Sequence, residues 1–387
     1  MRILFLSLMI SVGMYAQQRP VAIIPFQMHK DKPAVFLNTE INQQPLSFFF
    51  DTGATTSLLD TKVAECIGVK ANHEQSVSGA GGKKTYKIAQ NQKVKIQSIV
   101  LDSINFVIDD LAVFKERFHH PFDGIIGHSL LKNYKVIMDF TKQEFQLYDF
   151  STPLPLEGYE EIPFEFGNGI PIPQFNISIK INNESLTGRI FFDSGAGLSL
   201  LMNSPFAQKH HLPDSHSKKL TTYTQNLSKE SKSIDFIADE IHLGDYTFKN
   251  IKIGASSDNT GVSSFPNYLG ILGAEIINRF NWVIDYQNHK LYMKPNTNFH
   301  KPFPQEYTGF RIKESEGKLY VESLAEESPF YAKGLRNGDQ IRCVNGYTNR
   351  EKIESLLKEK GKKIKLRYIR NGKTQKIKHQ LYNLLKP

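Results

Sequence analysis

Short apolar runs broken by polar turns recur along most of the chain, a period that favours strands over helices. Val35-Phe36-Leu37, Leu46-Ser47-Phe48-Phe49-Phe50, Ile177-Ser178-Ile179-Lys180-Ile181 and Arg189-Ile190-Phe191-Phe192 read as β-strands, short and rich in β-branched or aromatic residues. Helical spacing is limited to segments such as 61–67 and 130–132, and to 350–360, where Ile353, Leu356 and Leu357 share one face. The pattern predicts a mainly β protein. Two Pro-containing stretches punctuate it, Ser151-Thr152-Pro153-Leu154-Pro155-Leu156-Glu157-Gly158 and 297–306, and they divide the chain into units at 21–150, 159–296 and 307–383.

The first residues follow a different rule. Met1-Arg2 precedes the apolar run Ile3 to Ile10, and small and polar residues lead to Ala16. This reads as a signal peptide over 1–16, cut after Ala16, which makes the mature protein exported, either periplasmic or secreted. The run is short for a membrane span, and no longer one follows, so no integral span is expected after signal cleavage.

With 387 residues there is enough chain for two or three domains, each with its own core. Its 40% hydrophobic and 22% charged residues are ordinary values that exclude a mainly disordered or fibrous chain. Two cysteines, Cys66 and Cys343, cannot form a disulfide framework or a Cys-rich metal site, and both read as buried small hydrophobes. The net charge of +9 gathers between Lys358 and Lys378, where Ile364, Leu366, Tyr368 and Ile369 interrupt the basic residues and Asn371-Gly372 marks a hairpin turn. A solvated strand face explains that distribution, and no nucleic acid partner is implied.

The chain also repeats itself. Phe50-Asp51-Thr52-Gly53-Ala54-Thr55-Thr56-Ser57-Leu58-Leu59 returns as Phe192-Asp193-Ser194-Gly195-Ala196-Gly197-Leu198-Ser199-Leu200-Leu201. Upstream, Ile24-Pro25-Phe26 is echoed by Ile162-Pro163-Phe164, and Ile41-Asn42 by Ile181-Asn182. Downstream, Gly124-Ile125-Ile126-Gly127 pairs with Gly270-Ile271-Leu272-Gly273, and Val136-Ile137-Met138-Asp139-Phe140 with Trp282-Val283-Ile284-Asp285-Tyr286. Asp51 precedes Gly127 by 76 residues and Asp193 precedes Gly273 by 80. The first two units are therefore homologous lobes.

An apolar strand ending in Asp-Thr-Gly or Asp-Ser-Gly presents a carboxylate at a tight turn. One such carboxylate alone is ordinarily a solvated turn residue. Two related by a pseudo-twofold can meet between the lobes, where they cannot both ionise comfortably and so hold one proton. The pair then offers a base for water and an acid for a departing amine, with no metal and no cofactor.

These residues resemble the pepsin-like and retropepsin-like aspartic proteases, whose signature is an apolar pair before Asp-[Thr/Ser]-Gly and a later apolar-apolar-Gly brace, here Ile125-Ile126-Gly127 and Ile271-Leu272-Gly273. The resemblance implies a bilobal acid-protease fold, an endopeptidase activity on peptide or protein substrates, and Asp51 and Asp193 as the catalytic pair. It further implies that Thr52, Gly53, Ser194 and Gly195 support them. The Gly-rich stretch Ser78, Gly79, Ala80, Gly81 and Gly82 stands where the family's flap lies, while the equivalent region of lobe two, 221–231, lacks glycine. Ala54 and Ala196 follow the two glycines, as in retropepsins. Without a hydroxyl there to lower the carboxylate pKa, the expected pH optimum is about 4.5–6.5.

In the third unit, Glu327-Ser328-Pro329-Phe330-Tyr331-Ala332-Lys333-Gly334-Leu335, Asn337-Gly338-Asp339-Gln340-Ile341 and Val344-Asn345-Gly346 resemble the PDZ family. That resemblance implies a groove between the 350–360 helix and the strand Phe310-Arg311-Ile312-Lys313, headed by a carboxylate-binding loop at Tyr307-Thr308-Gly309-Phe310. Thr308, Gly309, Phe310, Arg311 and Ile312 would bind a C-terminal peptide ligand there by strand addition. The competing readings are a silent protease scaffold that binds peptides without cutting them and an assembly role at the cell envelope. His119-His120 and His210-His211 lack metal-ligand spacing and read as loop histidines.

Overall fold

A computed structural model of the chain describes residues 19–79, 82–118, 120–214, 216–225 and 230–386. The expected signal segment and two flap residues, Ala80 and Gly81, lie outside the described residues.

The fold is mainly β, with two lobes of like topology followed by a small domain of five described strands and two short helices. In lobe one the strand Gln44–Phe50 runs parallel to Gly124–Ile126, which is antiparallel to Ser57–Asp60, which in turn runs parallel to Ile99–Asp109. Lobe two repeats every step: Glu184–Asp193 parallel to Tyr268–Gly273, then Leu200–Met202 antiparallel, then Tyr246–Ser256 parallel. The echoed asparagines have a local cause. Asn42 and Gln43, like Asn182 and Asn183, adopt positive φ in the two-residue turn before each aspartate strand, the conformation a tight hairpin requires.

The aspartate strands are apolar at consecutive positions because they are covered on both faces. Phe48 and Phe50 enter the main core, while Phe49 turns the other way among Phe36, Phe118 and Phe122. In lobe two Ile190 and Phe192 share the main core, and Phe191 stacks on Tyr268 with ring centroids 4.6 Å apart.

A sheet crosses from lobe to lobe. Its order is Ala22–Met28, Glu144–Tyr148, Lys135–Asp139, Phe280–Asp285, Lys290–Pro295 and Glu160–Pro163, symmetric about the central antiparallel pair in which Val283 faces Ile137. The Ile-Pro-Phe echo thus marks the outer strands of one shared sheet. Each half reaches into the other: Asn281 donates its side-chain amide to Asp139 at 3.0 Å, and Lys135 pairs with the buried Asp285 at 3.3 Å. Trp282, the chain's single tryptophan, is fully buried at this junction and donates to Ile277 O at 2.8 Å.

Cys66 is a correction. It is exposed rather than interior, because the short helix Thr61–Cys66 turns Ala64 inward and leaves the cysteine outside; Cys343 is half-buried. The basic stretch forms the hairpin Lys363–Arg370 with Lys373–Gln380, turning at Asn371 and Gly372, both at positive φ.

Candidate active site

Each aspartate strand ends where its lobe meets the other. The turn after Asp51 is closed by Ala54 N donating to Asp51 O at 3.1 Å, and that after Asp193 by Ala196 N donating to Asp193 O at 3.3 Å. Behind each turn a glycine lets two backbones touch. A side chain on Gly127 would strike the carbonyl of Asp51, and one on Gly273 would strike those of Leu198 and Ala196. The next residues tie the brace to the turn: His128 N donates to Ala54 O at 3.1 Å, and Ala274 N to Ala196 O at 2.8 Å.

Thr52 and Ser194 cross between lobes. Thr52 N donates to Ser194 Oγ at 3.0 Å, Ser194 N donates to Thr52 Oγ1 at 2.9 Å, and Thr52 Oγ1 donates to Phe192 O at 2.8 Å. Both side chains are buried. The crossed bonds bring the carboxylates face to face. A methyl group on Gly53 would lie 2.6 Å from Cγ of Asp193, and one on Gly195 would run into the Asp51 carboxylate. Each glycine of one lobe is therefore packed under the carboxylate of the other.

Local amides orient the acids. Gly53 N donates to Asp51 Oδ1 at 2.7 Å; Gly195 N and Ala196 N donate to Asp193 Oδ1 at 2.9 and 3.0 Å. Burial, and then the neighbouring Asp193 carboxylate, push Asp51 well above the usual carboxylate range, while the amides of Gly53 and Gly195 pull it part of the way back. The arrangement can hold one proton between two acids and exchange it with a bound water.

Residues 37–130 match the sequence profile of the aspartyl protease family, and residues 307–381 match that of the PDZ domain. The chain carries an aspartyl protease domain and a PDZ domain. The chain is similar to DNA damage-inducible protein 1 of Kluyveromyces lactis, 26% identical over 143 residues that cover 36% of this chain and 32% of that protein. It is similar also to the protein of the same name from Saccharomyces cerevisiae, 28% identical over 125 residues, 31% of this chain and 27% of that one. The matched stretch thus spans about a third or less of the length of these curated relatives.

The aspartyl protease profile covers most of lobe one, and lobe two repeats the same strand pairings. In lobe one the hairpin expected to be the flap pairs His73–Gly79 with Gly82–Ile96, with Ser78 opposite Lys83 and Gly79 opposite Gly82. Its lobe-two counterpart pairs Leu220–Gln225 with Glu230–Leu243, and the tip between them lies outside the described residues. The PDZ domain ties down the base of that second hairpin. Thr221 donates to Glu327 through its N–H at 3.2 Å and its hydroxyl at 2.9 Å, and Leu220 packs with Ala325 and Leu385. Within the PDZ domain, Phe310 and Ile312 are core residues, Thr308 is buried, and Arg311 is exposed on the strand Arg311–Ser315.

Sequence reasoning missed three features of the site. Ser57 shares a hydrogen bond of 2.8 Å with Ser129, and Ser199 donates to Glu275 at 2.6 Å, so that equivalent serines pin each aspartate turn to its brace helix. The signal was present, since a serine follows each aspartate by six residues. The His128 and Tyr286 rings lie 5.8 Å apart beside the pair, with His128 Nδ1 and the Tyr286 hydroxyl buried and unpartnered among the described residues. Burial, then the nearby Asp51, raises the Tyr286 phenol, and burial lowers His128. The repeat differs here, with Ala274 and Phe140 at the equivalent positions. The third is Glu306, the last residue before the PDZ loop, whose carboxylate accepts from the N–H groups of Thr308 and Gly309.

Proposed function

We propose that the protein is an exported aspartic endopeptidase in which Asp51 and Asp193 share one proton and activate a water against a peptide carbonyl. The ionised carboxylate takes a proton from the water as its oxygen bonds to the carbonyl carbon, and the protonated partner gives its proton to the carbonyl oxygen. The tetrahedral diol collapses as the leaving nitrogen accepts a proton from the pair and one diol hydroxyl returns its proton to it. The C–N bond breaks, releasing an amine and a new carboxyl group. No covalent enzyme intermediate is formed.

The observation that carries this reading is the reciprocal packing of Gly53 and Gly195 beneath the opposing carboxylates. It leaves the two acids in one desolvated site, where Asp51 is held above the usual range. Thr52 and Ser194 maintain the crossing, the Gly79–Gly82 hairpin covers an extended substrate, and the PDZ groove binds an extended peptide.

Incubation with a mixed peptide library in ¹⁸O-labelled water tests the chemistry. The expected result is new peptide C-termini carrying one heavy oxygen, most abundant at about pH 4.5–6.5, between the two titrations of the pair. Absence of cleavage throughout about pH 3–8, a range spanning carboxylate and histidine titration, contradicts the proposal.

A further inference from the structure

We propose that Glu306 is an internal ligand of the PDZ domain's anion-binding loop, and that the groove behind it takes an internal extended segment in preference to a free C-terminus. The inference rests on the peptide-binding reading of that groove and is independent of the cleavage chemistry. One oxygen, Glu306 Oε1, accepts from Thr308 N at 3.0 Å, from Gly309 N at 2.9 Å and from Thr308 Oγ1 at 3.2 Å. These are the loop donors that a peptide's terminal carboxylate would need. The chain supplies its own carboxylate instead.

The loop is also covered. Leu220 of lobe two, 2% exposed, comes within 3.3 Å of where a Cβ on Gly309 would stand, and Ser328 donates its hydroxyl to Thr308 O at 2.6 Å. An arriving carboxylate would have to enter beside a like charge and displace a group that is tethered two residues from the donors and so always at high effective concentration.

A segment whose chain continues past the loop needs no anion site, and the edge remains for it. The strand Arg311–Ser315 pairs with Lys318–Glu322 on one side and is the terminal strand of its sheet, so its other edge can accept an added strand. Arg350 crosses that edge, donating to Ile312 O at 2.7 Å while paired with Glu354 at 2.9 Å. It competes with any added strand, whatever the nature of its terminus. Glu306 therefore sets the discrimination and Arg350 sets the overall affinity.

The two roles separate in one experiment. The full chain carrying Asp51→Asn, immobilised so that cleavage cannot affect the readout, is exposed to octapeptide pools in which every sequence is present as free acid and as amide. Retained peptides are quantified by mass spectrometry, with thermal melting as the folding control. The parent is expected to retain acids and amides within about threefold of each other. Adding Glu306→Ala raises the acid-to-amide ratio by roughly tenfold, as expected for freed charge-assisted hydrogen bonds. Adding Arg350→Ala raises both forms together. Should Glu306→Ala fail to fold, Glu306→Gln carries the test with the same direction of change. A parent that already favours acids about tenfold overturns the proposal. So does a ratio unmoved by the Glu306 substitution, or a chain that retains no peptide in any form.

Discussion

Thr52 shows how much one hydroxyl can hold. It donates to Phe192 O and accepts from Ser194 N, both in the other lobe. Replacing it with alanine strands a buried carbonyl and a buried amide, each worth about 1–3 kcal/mol when unpaired. Thr52→Ala should therefore cost about 2–4 kcal/mol in denaturant unfolding, and Thr52→Ser should recover most of it. Asp51 gives the opposite sign. Its folded carboxyl is raised above the unfolded value of 3.8, so the native state holds the proton more tightly and stability falls as pH rises from that value through the folded one. Asp51→Asn removes this penalty. The variant should melt a few degrees above wild type at pH 8, with the difference vanishing towards pH 4; equal melting temperatures at both would contradict the assignment of burial and repulsion as the cause. The two aspartates were legible in the sequence because both carry the same flanks. Glu306 was not, since nothing in a lone glutamate before a Tyr-Thr-Gly turn reveals that its side chain folds back onto the amides two and three residues on.

Among the elements, the interlobe sheet bears the greatest burden. Its outer strands were announced by the Ile-Pro-Phe echo and its centre by the paired Val-Ile-Asp runs. Their pairing across the lobes was not legible, because strand alternation tells which face is buried and says nothing about which strand is the neighbour. Lys135 tests the junction. Its ammonium group contacts the carboxylate of Asp285, which is 3% exposed and also accepts from the N–H and side-chain amide of Asn288. Lys135→Ala should lower stability by about 1–3 kcal/mol. Because Trp282 lies in the same sheet, its fluorescence should follow the transition. The exposed pair of Lys30 and Glu351, which links lobe one to the PDZ domain at 2.7 Å, should by contrast give no measurable change when Lys30 becomes alanine.

Across the whole molecule, three units recognisable from composition and repetition pack together, the lobes through one shared sheet and the PDZ domain on the lobe-two hairpin. The mainly β architecture and the PDZ domain followed from strand spacing and from motif runs of many residues. The docking of the PDZ domain on the lobe-two hairpin did not, because Leu220, Thr221, Ala325, Glu327 and Leu385 are scattered through the sequence and unremarkable in it. The proposed export is tested at the scale of the whole chain as well. The mature protein recovered from outside the cytoplasm should begin at Gln17, and a full-length chain retained inside the cell would contradict the signal-peptide reading.

The central claim is that one proton is shared by two acids from two lobes. It is tested most directly by cleavage of a mixed peptide library at pH 3–8 with wild type, Asp51→Asn and Asp193→Asn, each checked for folding by its melting transition (a range set by the titration of carboxylates and histidine). The account predicts that wild type cuts and that either substitution alone abolishes cutting in a folded protein. Cleavage that survives both substitutions would contradict it.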